Sequence, residues 1–159
     1  PQLACCHPED NVLILSGDTP LLTTSLLTLL TEYSPSVQAV VATMRVESPT
    51  GYGRIVERNR EFVKIVEEKD CDARERAIRH VNAGLYRVSV AALLAHLPHL
   101  SDNNAQKELY LTDLFSLILG ENDVSPTDVT TMRVPADMQH QLQGVNTPAQ
   151  LTAVAKLCA

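Results

Sequence analysis

The sequence predicts an α/β domain built on a mixed, mostly parallel sheet with flanking helices. Three observations carry that prediction. Asn11–Ser16 and Val37–Val46 are short apolar or β-branched runs that read as buried strands, and fully buried strands belong inside parallel sheets. An amphipathic helix over Thr23–Tyr33 lies between them, and this β–α–β order calls for a right-handed crossover and a parallel strand pair. Tyr52–Glu67 then reads as a hairpin turning at Asn59-Arg60, which adds antiparallel pairing.

The elements follow one another without an internal repeat or a linker, so a single unit is expected. The first ten residues are polar and turn-rich. Val12, Leu13, Ile14 and Leu15 form an apolar run that stops at Ser16-Gly17-Asp18, where Thr19-Pro20 redirects the chain. Leu26, Leu27, Leu29 and Leu30 supply the apolar face of the first helix, which Ser34-Pro35-Ser36 ends. Asp70–Ala77 is a charged helical turn. Ile78–Val88 is a strand with Gly84 inside it, and an interior glycine marks a place where a ligand or another backbone comes close. Val90–Leu97 is a short helix closed by Pro98. Glu108–Leu119 carries a strongly apolar helical face; either Thr112 or Asp113 caps that helix or the preceding loop runs on. Asp128–Val134 is the last strand, and Pro148 opens a final amphipathic helix to Leu157.

Composition narrows the class. The 159 residues are 45% hydrophobic and 20% charged, as in an ordinary globular domain, with a formal charge of -6. No basic block or arginine stripe supports nucleic-acid binding. The apolar runs are too short to span a membrane and no leader pattern is present, so a soluble, cytoplasmic protein is expected. The four cysteines form no CxxC or zinc spacing and are expected to be reduced thiols. His96 and His99 have helical spacing, but Pro98 between them argues against a two-histidine metal face.

Chemistry is sought where polar groups interrupt apolar strands, because burying them unpaired costs a few kcal/mol. Asp18, Gly53, Glu67, Asn82 and Asn146 stand at strand ends or in the loops that follow. In open α/β sheets, ligands bind beyond the carboxyl ends of strands, where Asp18 falls. Gly17 lets a phosphate or metal approach the backbone, and Asp18 offers the hard oxygen that Mg²⁺ prefers. The same Asp18 serves equally well as a turn residue capping the next helix. Singly, Glu67 reads as a solvated strand-end charge, Asn82 as a turn or edge residue and Asn146 as a helix cap. Glu67 and the adjacent Glu68 point to opposite faces and make no catalytic carboxylate pair. No nucleophile, triad or phosphate-binding glycine loop of the GxGxxG or Walker type is found, so no covalent or acid–base residue is assigned.

Taken together, LSGDTPL, GYGRI, IVEEKD, VNAGLY, NNAQKELYLTD and GVNTPAQL, in that order, resemble a known family. It is the uridyltransferase domain of the bacterial bifunctional N-acetylglucosamine-1-phosphate uridyltransferases, whose second half is a β-helical acetyltransferase. The similarity runs from about Asn11 to about Ala155. It implies a Rossmann-like, glycosyltransferase-A-like nucleotidyltransferase fold. The implied reaction joins UTP and N-acetylglucosamine 1-phosphate into UDP-N-acetylglucosamine and pyrophosphate, a step toward peptidoglycan and cell shape. By motif, Asp18 and Asn146 match the residues that hold Mg²⁺. Gly53 matches the backbone facing the sugar, and Glu67 and Asn82 match those that hydrogen-bond its ring.

The departures qualify this. The L-A-A-G-x-G-T-x-M loop that cradles the UTP phosphates and the Q-x-x-GTA stretch that reads uracil are not among these residues, nor are the hexapeptide repeats of a left-handed β-helix. Residues 1–159 are therefore expected to be a partial uridyltransferase domain, without its N-terminal glycine-loop segment, carrying the sugar and metal half and inactive alone. The alternatives are one polypeptide of a split enzyme, completed by a second chain, or a non-catalytic sugar-phosphate binding module. Ser16 replaces the tyrosine that many members have before GD, and Lys107 replaces a small or amide residue.

Overall fold

The computed structural model of the chain describes residues 3–120 and 128–156. In order, these form β1 (Asn11–Ile14), α1 (Thr24–Thr31), β2 (Ala39–Arg45), β3 (Arg54–Arg58) and β4 (Glu61–Val66). There follow α2 (Ala73–Arg76), β5 (His80–Ser89), α3 (Val90–His96), α4 (Asp113–Leu119), β6 (Val129–Arg133) and α5 (Pro148–Ala155). Local chemistry explains most boundaries. The Thr23, Ser89 and Thr147 side chains each accept a backbone N–H at the start of α1, α3 and α5, and Asp72 with Glu75 closes a capping box on α2. The β3–β4 hairpin turns through Asn59 and Arg60, both at positive φ (55° and 70°), the left-handed pair a two-residue hairpin needs.

The described strands form a mixed sheet in the order β4-β3-β5-β2-β6, with β1 joined to β5. β1, β2, β3 and β6 run in one direction and β4 and β5 in the other. The flanking helices and this majority direction match the expected class. The expected direct pairing of β1 with β2 does not form, because β5 inserts between them. With ten residues, β5 pairs with β2 along one edge and, on the other, with β1 over Tyr86–Ser89 and with β3 at Val81. Among the described residues, β2–β6 is the one hydrogen-bonded parallel pair.

β1 is half-buried rather than fully buried, and Leu15 just after it is 40% exposed. Among the described strands it pairs only with β5, so its other edge has no sheet neighbour. The central strands are buried on both faces. Ala39, Val41, Ile55, Ile65, Tyr86 and Val88 meet α3 and α4 through Leu93, Leu114, Phe115 and Ile118. On the opposite face Val40, Ala42, Met44, Val81 and Leu85 meet Leu26 and Leu30 of α1. Each Val, Leu, Ile, Met or Phe among them contributes about 1.5–3 kcal/mol on full burial. Arg87 is buried in β5, where it donates to Asn11 Oδ1 (3.0 Å) and the Val37 carbonyl (3.2 Å), tying β1 to the lead into β2.

Within Glu108–Leu119 the loop runs on and α4 begins at Asp113, with Thr112, one of the two expected caps, at the N-cap position. Asn104 folds the preceding segment into a loop: its Oδ1 accepts the N–H groups of Gln106 (3.2 Å) and Glu108 (3.3 Å). Lys107 there has φ 56° and Leu109 is 66% exposed, so the apolar periodicity of this stretch is only partly used. The end of the last helix was expected at Leu157, which lies outside the described residues.

Candidate functional site

The site lies at a fork where β1 and β3 leave opposite parts of the same β5 edge. Between Tyr86, which faces Val41, and Asn82, which faces Thr43, β5 carries two more residues than β2 and bulges. Gly84 sits in that bulge with φ +75°. A Cβ on it would lie 2.8 Å from Ser16 Oγ, and the Ser16 hydroxyl donates to the Gly84 carbonyl (3.2 Å). The close approach foreseen for this glycine is thus that of the loop after β1.

The bulge holds Asn82 in place. Its N–H donates to the Gly53 carbonyl (2.9 Å), its Nδ2 to the Tyr86 hydroxyl (2.6 Å), and its Oδ1 accepts the Gly84 N–H (3.0 Å). One Nδ2 hydrogen and one Oδ1 lone pair remain for a ligand. Burial, and then the charge of Glu67, push the Tyr86 phenol up to about 12.

Gly53 is buried beside them. A Cβ there would meet Ile65 Cγ2 at 2.9 Å, Asn82 Cβ at 3.5 Å and Glu67 Oε1 at 3.5 Å. The structure therefore brings Gly53, Glu67 and Asn82 onto one patch. Glu67 Oε1 accepts the Thr112 hydroxyl at 2.8 Å. Glu68 turns away as expected: Arg54, 1% exposed, donates to its Oε2 at 2.6 Å, and the Gly51 N–H adds a bond at 3.0 Å. These bonds, that from Arg54 first, hold the Glu68 carboxyl below its ordinary range.

Two of the motif stretches prove to be one unit. Besides the Glu67–Thr112 bond, Lys69 Nζ donates to Gln106 Oε1, and Asp70 Oδ1 accepts the Ala105 N–H (2.8 Å). IVEEKD thus clamps the NNAQKELYLTD loop at three points. Sequence reasoning cast Thr112 only as a helix cap and did not single out Tyr86. Each sits inside a quoted motif, but nothing in a linear pattern says which side chain meets which.

Asp18 and Asn146 form a second cluster. Gln141 Oε1 accepts both the N–H (3.0 Å) and the hydroxyl (2.9 Å) of Thr23, fixing the 3₁₀ turn Gln139–Leu142 to the start of α1. The chain then returns past Asp18, whose carbonyl accepts the Val145 N–H (2.9 Å). A Cβ on Gly144 would fall 2.8 Å from Asp18 Oδ2 and 3.6 Å from Asn146 Nδ2. The absence of a side chain on Gly144 thereby keeps open a small cradle between one carboxylate and one amide. Both are hard donors, the amide presenting oxygen after a simple flip, and the set fits Mg²⁺. A Cβ on Gly17 would meet nothing within 4 Å, so its exposed backbone is open to approach. Ser16 and Gly84 join the clusters, since Ser16 precedes Asp18 by two residues and Gly84 follows Asn82 by two.

The fold defines the class. A crystal structure from Bacillus anthracis, assigned to glucose-1-phosphate thymidylyltransferase and holding sucrose, superposes with a TM-score of 0.62 at 18% identity. It covers 94% of this chain and 55% of its own. The architecture is therefore the Rossmann-like nucleotidyltransferase fold. No protein-family model matches the chain. Curated relatives do: "Bifunctional protein GlmU" of Acinetobacter baylyi is 37% identical over 150 residues, covering 94% of this chain. GlmU of Mycobacterium bovis is 38% identical over 154 residues, and that of Helicobacter pylori is 45% identical over 115. The chain is similar to one part of these GlmU proteins. It spans 32%, 30% and 26% of those three relatives' own lengths.

Proposed function

We propose that this chain carries the sugar- and cation-binding half of a uridyltransferase domain. The complete protein would transfer uridylyl from UTP to N-acetylglucosamine 1-phosphate, in the cytoplasm, for peptidoglycan precursor synthesis. The observation that carries the reading is the convergence of Gly53, Glu67 and Asn82 on one patch, joined through Ser16 and Gly84 to the Asp18–Asn146 cradle.

The chemistry suits these residues. A sugar ring is neutral, and Glu67 and Asn82, packed against Gly53, offer it an acceptor and a donor–acceptor pair. Asp18 and Asn146 would hold Mg²⁺, which when bound neutralises phosphate charge. The sugar phosphate oxygen would attack the α-phosphorus of UTP in line, with pyrophosphate leaving, a reaction that needs positioning and charge balance more than a covalent intermediate. Turnover also needs a cradle for the UTP phosphates. The glycine loop that would provide it is not among these residues, so a longer chain or a second polypeptide would have to supply it.

The test is pyrophosphate release from UTP, N-acetylglucosamine 1-phosphate and Mg²⁺, beside calorimetric binding of N-acetylglucosamine 1-phosphate. The folded chain should bind the sugar phosphate in Mg²⁺, lose that cation dependence in Asp18→Ala, and release no pyrophosphate. Turnover would refute the half-site reading, and absence of binding would refute the sugar reading.

A further inference from the structure

We propose that Thr112 is a positioning residue, whose hydroxyl locks the Glu67 carboxylate in the rotamer that faces Gly53 and Asn82. Its consequence for a sugar ligand rests on the reading above; its geometry does not.

Thr112 stands at the N-cap position of α4 and is only 5% exposed. A threonine there ordinarily accepts one of the helix's free N–H groups. Thr112 makes no such bond, and its hydroxyl donates to Glu67 Oε1 at 2.8 Å. Thr112 has helical backbone angles (φ −65°, ψ −22°) rather than the extended ones of a capping residue, and its hydroxyl is turned to a contact 45 residues away. Among the described residues, Thr112 is the one hydrogen-bond partner of the Glu67 carboxylate. Glu67 follows directly on β4, with three torsions to restrict. Lys69 and Asp70 clamp the loop before Thr112, so donor and acceptor are held on a common frame. Oε1 is also the oxygen that lies beside Gly53, so the bond from Thr112 holds the carboxylate on the patch in one orientation, and binding need not restrict the side chain further.

Thr112→Val keeps the shape and removes the donor, while Thr112→Ser keeps the donor. Three-bond couplings of the Glu67 side chain should report one rotamer in the parent chain and in Thr112→Ser, and rotamer averaging in Thr112→Val. Affinity for N-acetylglucosamine 1-phosphate should fall about tenfold in Thr112→Val and stay within about twofold in Thr112→Ser. Circular dichroism shows whether each variant is folded. A fixed Glu67 rotamer in folded Thr112→Val, or averaging in Thr112→Ser, would overturn the proposal. If the parent chain locks Glu67 but binds no sugar phosphate, the sugar reading fails and the couplings still decide the role of Thr112.

Discussion

Gly144→Ala separates the cation cradle from the fold. Gly144 lies outside the left-handed region, so alanine can adopt its backbone. The added Cβ would fall 2.8 Å from Asp18 Oδ2, which is 0.6 Å short of the 3.4 Å at which ordinary contact begins. The atom it meets is the far end of an exposed side chain, so the carboxylate swings aside and stability changes by no more than about 0.5 kcal/mol. A Mg²⁺ ion, by contrast, demands oxygen ligands at about 2.0–2.1 Å in near-octahedral array, and a carboxylate displaced by half an ångström no longer fits. Disturbing the support of a metal ligand typically weakens affinity by about 10–100-fold. The assay is a Mn²⁺ titration with N-acetylglucosamine 1-phosphate present, reading paramagnetic broadening of the Asp18 and Asn146 amide resonances. In the parent chain both should broaden together at low Mn²⁺, and in Gly144→Ala only at much higher concentration. Equal titrations in the two chains would refute the cradle. A loss of stability above about 2 kcal/mol would show that Gly144 serves packing instead.

Two further predictions concern stability. Arg60→Gly and Lys107→Gly each place glycine where an L-residue now has positive φ (70° and 56°), and each should stabilise the chain by about 1 kcal/mol in urea unfolding. A destabilised variant would show that the side chain contributes more than its backbone costs. Tyr86, raised from 10.0 to about 12 chiefly by burial, is neutral in the fold at a pH where it would ionise when unfolded. Its contribution of about 2–3 kcal/mol is complete below pH 10 and lost as pH rises through 12. Tyr86→Phe should flatten this alkaline limb, and an unchanged slope between pH 9 and 11.5 would count against a buried phenol.

The alternation of apolar residues, the turn residues and the caps were enough to find most elements in the linear chain. Val37–Val46 contains β2, Asn59-Arg60 is the hairpin turn, and Pro148 stands in the first turn of α5. Those signals are local, since propensity, capping and strand alternation act over a few residues. The same locality left the start of the helix within Glu108–Leu119 open, and an asparagine-centred loop decided it by using the backbone groups that an earlier helix start would have used.

What the residues alone determined is the inventory: an α/β chain with polar side chains placed at strand ends, and motifs whose order resembles one family. What only the tertiary structure decided is their company. β5, far along the chain, separates β1 from β2 and takes β1 and β3 on one edge, so the loops after β1 and before β3 meet at Asn82 and Gly84. Glu67 finds Thr112 across 45 residues, and Asp18 meets Asn146 only because Gln141 pins a distant turn to α1. Such contacts depend on which strands pair and in what register, and a non-local pairing leaves no mark on the local pattern from which sequence is read.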